Sequence, residues 1–357
     1  MFPLLLPVSV ALALDAQPPR FASDVRMIRL DVSAVDSAGR PVAGLQAADF
    51  AVREDGRPVE ITFFEAVSTS SAFEPAEAGP SRGLSRRILL LVDAGRMSPG
   101  QLIRARQSAA RFIAEGTAPG DWVRLLNLST GRFRDGRIPE DRARLQSAAR
   151  ELKRGADPWR SEDGEVEALV DRFESGPDAM PTEAETTGRF LSTFAQTSGV
   201  LGNLESLLVQ LQGVSGRKAL VLISPGFPQL RNLDRELERV ASLARQAATA
   251  VYFVDAVGLD GLIPEPGRKW RPVFEMAWER GGGAQDLADA TGGFTSRFAN
   301  SLLPALSRVA AEMHTYYVIG YVPSRPDDGR FRSVDVKVSV PGVRARTKKG
   351  YLALASP

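Results

Sequence analysis

The stretch "ILLLVDAGRMSPGQLIRA" (residues 88–105) reads as an apolar strand, a polar turn and a helix. Five apolar residues in a row suit a strand buried on both faces. Ser98 fits the N-cap and Pro99 the first helical position, where its missing N–H costs nothing. Leu102, Ile103, Ala109, Ala110 and Ile113 then mark one apolar helix face, and Gly116 ends it. Asp93 closes the strand, at the end where a parallel sheet presents a ligand or a metal.

The same rhythm recurs in "VRLLNL" (123–128), "ALVLI" (219–223) and "VYFV" (251–254). A segment of helical periodicity follows nearly every run. That pattern predicts an α/β unit with a doubly wound, mostly parallel sheet covered on both sides. "STGRFRDGR" (129–137) reads as a hairpin into an antiparallel edge strand. This unit is expected over 86–318, with insertions at 155–187 and 258–283. The first insertion is acidic and reads as a solvated loop.

The two ends of the chain have another texture. "VRMIRLDVSAVDSAGRPVAGL" (25–45) alternates apolar and polar residues, and "FAVREDGRPVEITFFEAV" (50–67) turns at Asp55-Gly56, a hairpin signal. Val334, Val336, Val338 and Val340 alternate strictly after a Pro-Asp-Asp-Gly turn at 326–329. The N-terminal strands (25–66) and the C-terminal segment (319–353) are expected to pack as one small β-sandwich. A Ser/Pro/Gly-rich linker (67–85) separates the first of them from the α/β unit.

The chain has 357 residues, 43% hydrophobic and 25% charged, with a net charge of +2. It has room for one large and one small unit, and no strong field steers it to nucleic acid. It has no cysteine, which excludes disulfides, thiol catalysis and cysteine metal sites. Residues 1–17 ("MFPLLLPVSVALALDAQ") have the length and small-residue ending of a signal peptide, predicting a secreted or periplasmic protein. No other segment reaches membrane-spanning length.

Catalytic apparatus is sparse. The single histidine, His314, lies between a helical segment and a strand and reads as structural. H-E-x-x-H, G-x-S-x-G and Walker motifs do not occur. The ligand-facing candidates are the turns Asp93–Ser98, Ser224–Gln229 and Asp255–Gly283 and the loop near Phe294–Asn300. Within them Asp93, Gly95, Arg96, Ser98, Ser224 and Asp255 stand at strand ends. Arg268, Trp270, Phe274 and Trp278 form an aromatic-basic patch, which reads equally as a partner surface or as a lid over the sheet.

Five segments together resemble the von Willebrand factor A-related proteins of the acidobacterial type. They are "GLQAADFAVREDGRPVEITFF" (44–64), "GRKALVLISPGF" (216–227), "LADATGGFTS" (287–296), "TYYVIGYVPS" (315–324) and "DGRFRSVDVKVSVPGVRARTKKGYLA" (328–353). The resemblance runs over most of 25–353. It implies a type A domain with a metal-ion-dependent adhesion site at its top, in an extracytoplasmic bacterial protein. That site's motif is Asp-x-Ser-x-Ser, with a threonine and an aspartate from later loops. Asp93 matches, but Gly95 and Met97 stand at the serine positions and Pro225 at the later aspartate. Thr197 is a loose candidate for the threonine, and Ser98 is one residue out of register.

The expectation is therefore a non-catalytic interaction module with a degenerate adhesion site. It would recognise a protein or glycan partner in the cell envelope through the loops at the C-terminal edge of the sheet. No cofactor is expected, beyond weak Mg²⁺ or Ca²⁺ binding at Asp93. Two alternatives stand beside it: a metal-dependent adhesion protein or hydrolase using Asp93, and a structural envelope component with a vestigial rim.

Overall fold

The computed structural model describes residues 27–68, 86–155, 183–214, 216–259 and 279–354. They form a mixed α/β protein with one mostly parallel six-stranded sheet and two four-stranded antiparallel sheets. Residues 1–26, 69–85, 156–182 and 260–278 lie outside the described residues, and with them the expected signal peptide and Arg268, Trp270, Phe274 and Trp278.

The antiparallel sheets combine both chain ends. From the N-terminal side come β1 (Ile28–Val35), β2 (Phe50–Glu54), β3 (Arg57–Val59) and β4 (Phe63–Ser68). The six-stranded sheet is built from β5 (Arg87–Val92), β6 (Trp122–Asn127), β7 (Phe133–Arg137), β8 (Lys218–Ser224), β9 (Thr249–Asp255) and β10 (Thr295–Ser296). The C-terminal side adds β11 (Thr315–Tyr321), β12 (Phe331–Val338), β13 (Arg344–Arg346) and β14 (Gly350–Leu352). The first antiparallel sheet runs β13-β1-β11-β4 and the second β14-β12-β2-β3. Val32, Tyr317, Ile319, Val52, Val334 and Val336 close one core between them. The whole of β11 pairs with β1 and β4, so the 318/319 division falls inside a strand. Asp55 and Gly56 both take positive φ (46° and 77°) in the β2–β3 turn, as Asp-Gly hairpins do.

Among the described residues six helices accompany the large sheet: α1 (Pro99–Glu115), α2 (Arg142–Arg150), α3 (Glu183–Gln210), α4 (Asp234–Gln246), α5 (Gly282–Thr291) and α6 (Leu303–His314). Sheet order is β7-β6-β5-β8-β9-β10; with the strands numbered in chain order, that is 3-2-1-4-5-6. Only β7 runs antiparallel, as its hairpin signal predicted. Side chains alternate between two cores. Ile88, Leu90 and Val92 face α1, α2 and α6, whereas Leu89 and Leu91 face α3, α4 and α5. All five are fully buried, each worth about 1.5–3 kcal/mol of apolar transfer.

Ser98 caps α1 as expected. Its Oγ accepts from the Gln101 N–H (3.3 Å), and Gln101 Oε1 accepts from the Ser98 N–H (3.0 Å). One helix-face residue departs from expectation. Leu102, Ala109, Ala110 and Ile113 are buried, but Ile103 is 50% exposed. Ala105 and Phe112 take the inner stripe instead, because Ile103 sits one residue, about 100°, round from Leu102.

The two units are tied by polar contacts. Arg217, buried just before β8, donates to Ser33 Oγ on β1 (2.7 Å) and stacks 4.1 Å over the Tyr316 ring on β11. In the antiparallel unit Glu54 is buried, and its Oε2 accepts from the Tyr321 and Tyr351 hydroxyls (2.9 and 2.8 Å). Burial and this carboxylate push both phenol pKa values up.

Candidate functional site

Strand order places a crevice where the chain reverses direction across the sheet, between β5 and β8, at their C-terminal ends. Register brings three sequence-predicted residues into line there. Val92 pairs with Ile223, so Asp93 follows beside Ser224, and Ser224 pairs with Asp255. Each continues the row of Leu89/Leu91, Leu220/Leu222 or Val251/Phe253, the face covered by α3, α4 and α5. All three are buried.

Asp93 is held on several sides. Its N–H continues the ladder to Ile223 O (3.0 Å). The Ser224 hydroxyl donates to its Oδ2 (2.7 Å) and accepts in turn from the Gly226 N–H (3.0 Å). Arg96, three residues on, donates from Nη1 to the same Oδ2 (3.2 Å) and from Nη2 to Gly226 O (2.5 Å). The Arg96 guanidinium thus spans the crevice between the β5 and β8 turns. Gly226 is required here. Its φ is +89°, and a Cβ would lie 2.9 Å from the Phe253 ring and 3.1 Å from Gly281 Cα.

The remaining positions of the adhesion motif are filled by packing. The Gly95 N–H donates to Ser129 Oγ (2.7 Å), which donates onward to Asn127 Oδ1 (2.8 Å). A Cβ on Gly95 would meet Ser129 Cβ at 2.8 Å, so a serine does not fit without rearrangement. Met97 is fully buried in the core beneath α1. Thr197 is not in a loop at all; it lies within α3, where its hydroxyl donates to Thr193 O (2.8 Å). A metal ion does not fit this donor set. The one carboxylate is ion-paired with a guanidinium, and a hard cation wants several converging oxygens. Among the described residues no group of three His, Cys, Asp or Glu side chains converges as a ligand set.

Asp255 has a different setting. Its Oδ1 accepts from the Val257 N–H (2.9 Å), while its buried Oδ2 has no hydrogen-bond partner among the described residues. Burial raises its pKa, against the lowering effect of the Val257 N–H and the charges of Arg280 and Arg297. Burial likewise lowers the pKa of Arg280 and Arg297. The rim thus gathers three guanidiniums (Arg96, Arg280, Arg297) around two carboxylates (Asp93, Asp255).

Ser98 is engaged as a helix cap and does not join this cluster. Arg280 and Arg297 lie inside turns that the sequence marks as ligand-facing, and position alone is their signal. Asn127 and Ser129, at the end of β6, were missed. A polar pair closing the apolar run "VRLLNL" is the cue that could have found them.

No family model matches the chain. It is similar to the nicotinate-nucleotide–dimethylbenzimidazole phosphoribosyltransferases of Escherichia coli (strain SMS-3-5 / SECEC) and Shigella sonnei (strain Ss046), at 29% identity over 188 residues in both cases. Those matches cover 46% of this chain and 46% of each enzyme, so the chain spans under half the length of the curated relatives it matches. Among solved structures, the TFIIH p34 N-terminal domain aligns over 64% of this chain and 97% of its own, at 12% identity and a TM-score of 0.28. That score is too low to bear on the fold. No helix among the described residues is long and apolar enough to cross a membrane.

Proposed function

We propose that this chain is a non-catalytic, extracytoplasmic binding module. In this reading its α/β unit is a doubly wound, von Willebrand factor A-like domain with a degenerate adhesion site, and the chain ends form a β-sandwich beside it. A protein or glycan partner docks on the loops at the C-terminal edge of the large sheet. The observation that carries the reading is the Arg96 guanidinium, which joins Asp93 to Gly226 across the crevice. An internal cation there does by ion pairing what a bound metal would do by coordination: it holds the two turns together. The surplus of guanidinium at the rim favours a partner that presents carboxylates or other acidic groups.

Calorimetric titration with Mg²⁺, Mn²⁺ and Ca²⁺ tests the metal-free rim. No saturable heat is expected below about 1 mM metal. Saturation at micromolar concentrations would move the protein to the metal-dependent adhesion class. Proximity labelling in the native envelope tests the docking face. Wild-type protein should label a partner that the Trp270→Ala/Trp278→Ala double variant loses, and identical labelling by both would overturn the reading.

A further inference from the structure

A second basic cavity adjoins the rim at Arg297, where the edges of two sheets face each other. Among the described residues β10 pairs only with β9, and β13 only with β1. Between them is a cavity of about 460 Å³ whose lining includes Arg297, Arg308, Arg344, Arg346, Phe294 and Thr295. We propose that this cavity binds a small oxyanion carrying two or more negative charges, as phosphate or carboxylate groups.

Charge balance makes the first argument. Four guanidiniums meet here. Opposing them are Glu312, fully buried beneath, and Asp289 at the margin. Glu312 Oε1 accepts from Arg308 Nε (3.2 Å) and from Arg346 Nη2. Arg297 also lies in the field of Asp255, so one positive charge is in excess of the carboxylates. Burial first, and then the Arg346 charge, pull the Arg308 pKa below its usual value, which is the crowding an anion would relieve.

Unspent hydrogen-bonding capacity is the second. Arg346 Nε and Nη1 and Thr295 Oγ1 are buried with no hydrogen-bond partner among the described residues. Buried donors without acceptors are costly, and a guanidinium fork matches the two oxygens of a carboxylate or phosphate. Preorganisation is the third. The Arg308 guanidinium sits 4.0 Å over the Phe294 ring and that of Arg346 5.1 Å from the same ring. Gly39, at φ +77°, leaves the space that Arg308 fills; a Cβ there would fall 2.5 Å from Arg308 Cζ. The donors are thus held in place before any ligand arrives. The volume suits a small molecule.

Titration calorimetry on the full chain at low ionic strength decides it, with pyrophosphate, citrate and acetate as probes. Pyrophosphate, citrate or both should bind saturably below about 1 mM, and acetate at least about tenfold more weakly. Which of the two binds tells phosphate from carboxylate as the ligand group. Arg344 is exposed, so Arg344→Gln should fold normally and weaken binding about fivefold or more. Arg346→Lys keeps the charge but loses the fork and should also weaken it. Arg111→Gln, on the exposed face of α1, should bind as wild type does. The proposal is overturned if neither multivalent anion saturates, if acetate binds as tightly, if Arg344→Gln binds as wild type does, or if Arg111→Gln loses as much affinity as Arg344→Gln.

Discussion

Asp93 and Asp255 end two strands of one sheet, lie on the same face and are 3% and 2% exposed. Their neighbours make them different groups. Asp93 shares its Oδ2 between a serine hydroxyl and a guanidinium, so its charge is met at the point of burial. Asp255 takes the Val257 N–H on Oδ1, and the Phe298 backbone and two arginine charges also favour its ionised form, but burial is the largest effect. Hydrogen bonds and opposite charge both favour an ionised carboxylate, and at Asp255 burial outweighs them. The β5–β8 turn is therefore a brace, and the β9 end holds a carboxylate that resists ionising.

The largest expected break in this comparison is Asp93→Ala. It would leave the partly buried Arg96 guanidinium against Gly226 O without its counter-charge, and should cost about 2–4 kcal/mol in urea unfolding. Removing both partners in Asp93→Ala/Arg96→Met should recover more than half of that loss. If the double variant is no more stable than the single, the pair is not the brace.

Asp255→Asn should do less, and its effect should depend on pH. The folded pKa lies above the ordinary 3.8. As pH rises from there, the folded chain holds a proton that the unfolded chain gives up, and wild-type stability falls until the folded pKa is passed. The variant lacks this loss. Its stability relative to wild type should therefore rise between pH 4 and pH 8, and a flat difference would show that burial does not raise the Asp255 pKa.

The smallest effect belongs to Asp55 in the antiparallel unit, whose shift has the opposite sign. A hydrogen bond from Arg325, seconded by the Ser333 N–H, holds its pKa at about 2. The ionised form contributes fully above 3.8, and that contribution is lost as pH falls through about 2. This is a partly exposed pair, so Asp55→Asn should cost only about 0.2–1 kcal/mol at pH 7. The cost should vanish below pH 2, as acid unfolding curves would report.

Much of the frame is legible in short patterns. Continuous runs such as "ILLLV" mark strands buried on both faces, because alternate residues meet different helix layers. Ser98-Pro99 marks the start of α1 and Asp55-Gly56 the β2–β3 turn, because each satisfies a local backbone requirement. Asp93, Ser224 and Asp255 are legible as strand-end residues by the same counting. Thr197, a loose candidate from the resemblance alone, lies in α3, whose long apolar face outweighs the neighbouring serine and glycine.

The sequence by itself thus determined the long buried strands, their two-sided burial, the first helix cap and the absence of serines at positions 95 and 97 after Asp93. These depend on neighbours along the chain. Only the tertiary structure decided what Arg96 does, that Ser129 fills the space beside Gly95, and that Arg297, Arg308, Arg344 and Arg346 share one cavity. Those groups come from strands and turns far apart in sequence. Their meeting depends on the order 3-2-1-4-5-6 and on the packing of two sheets edge to edge, which no local pattern encodes.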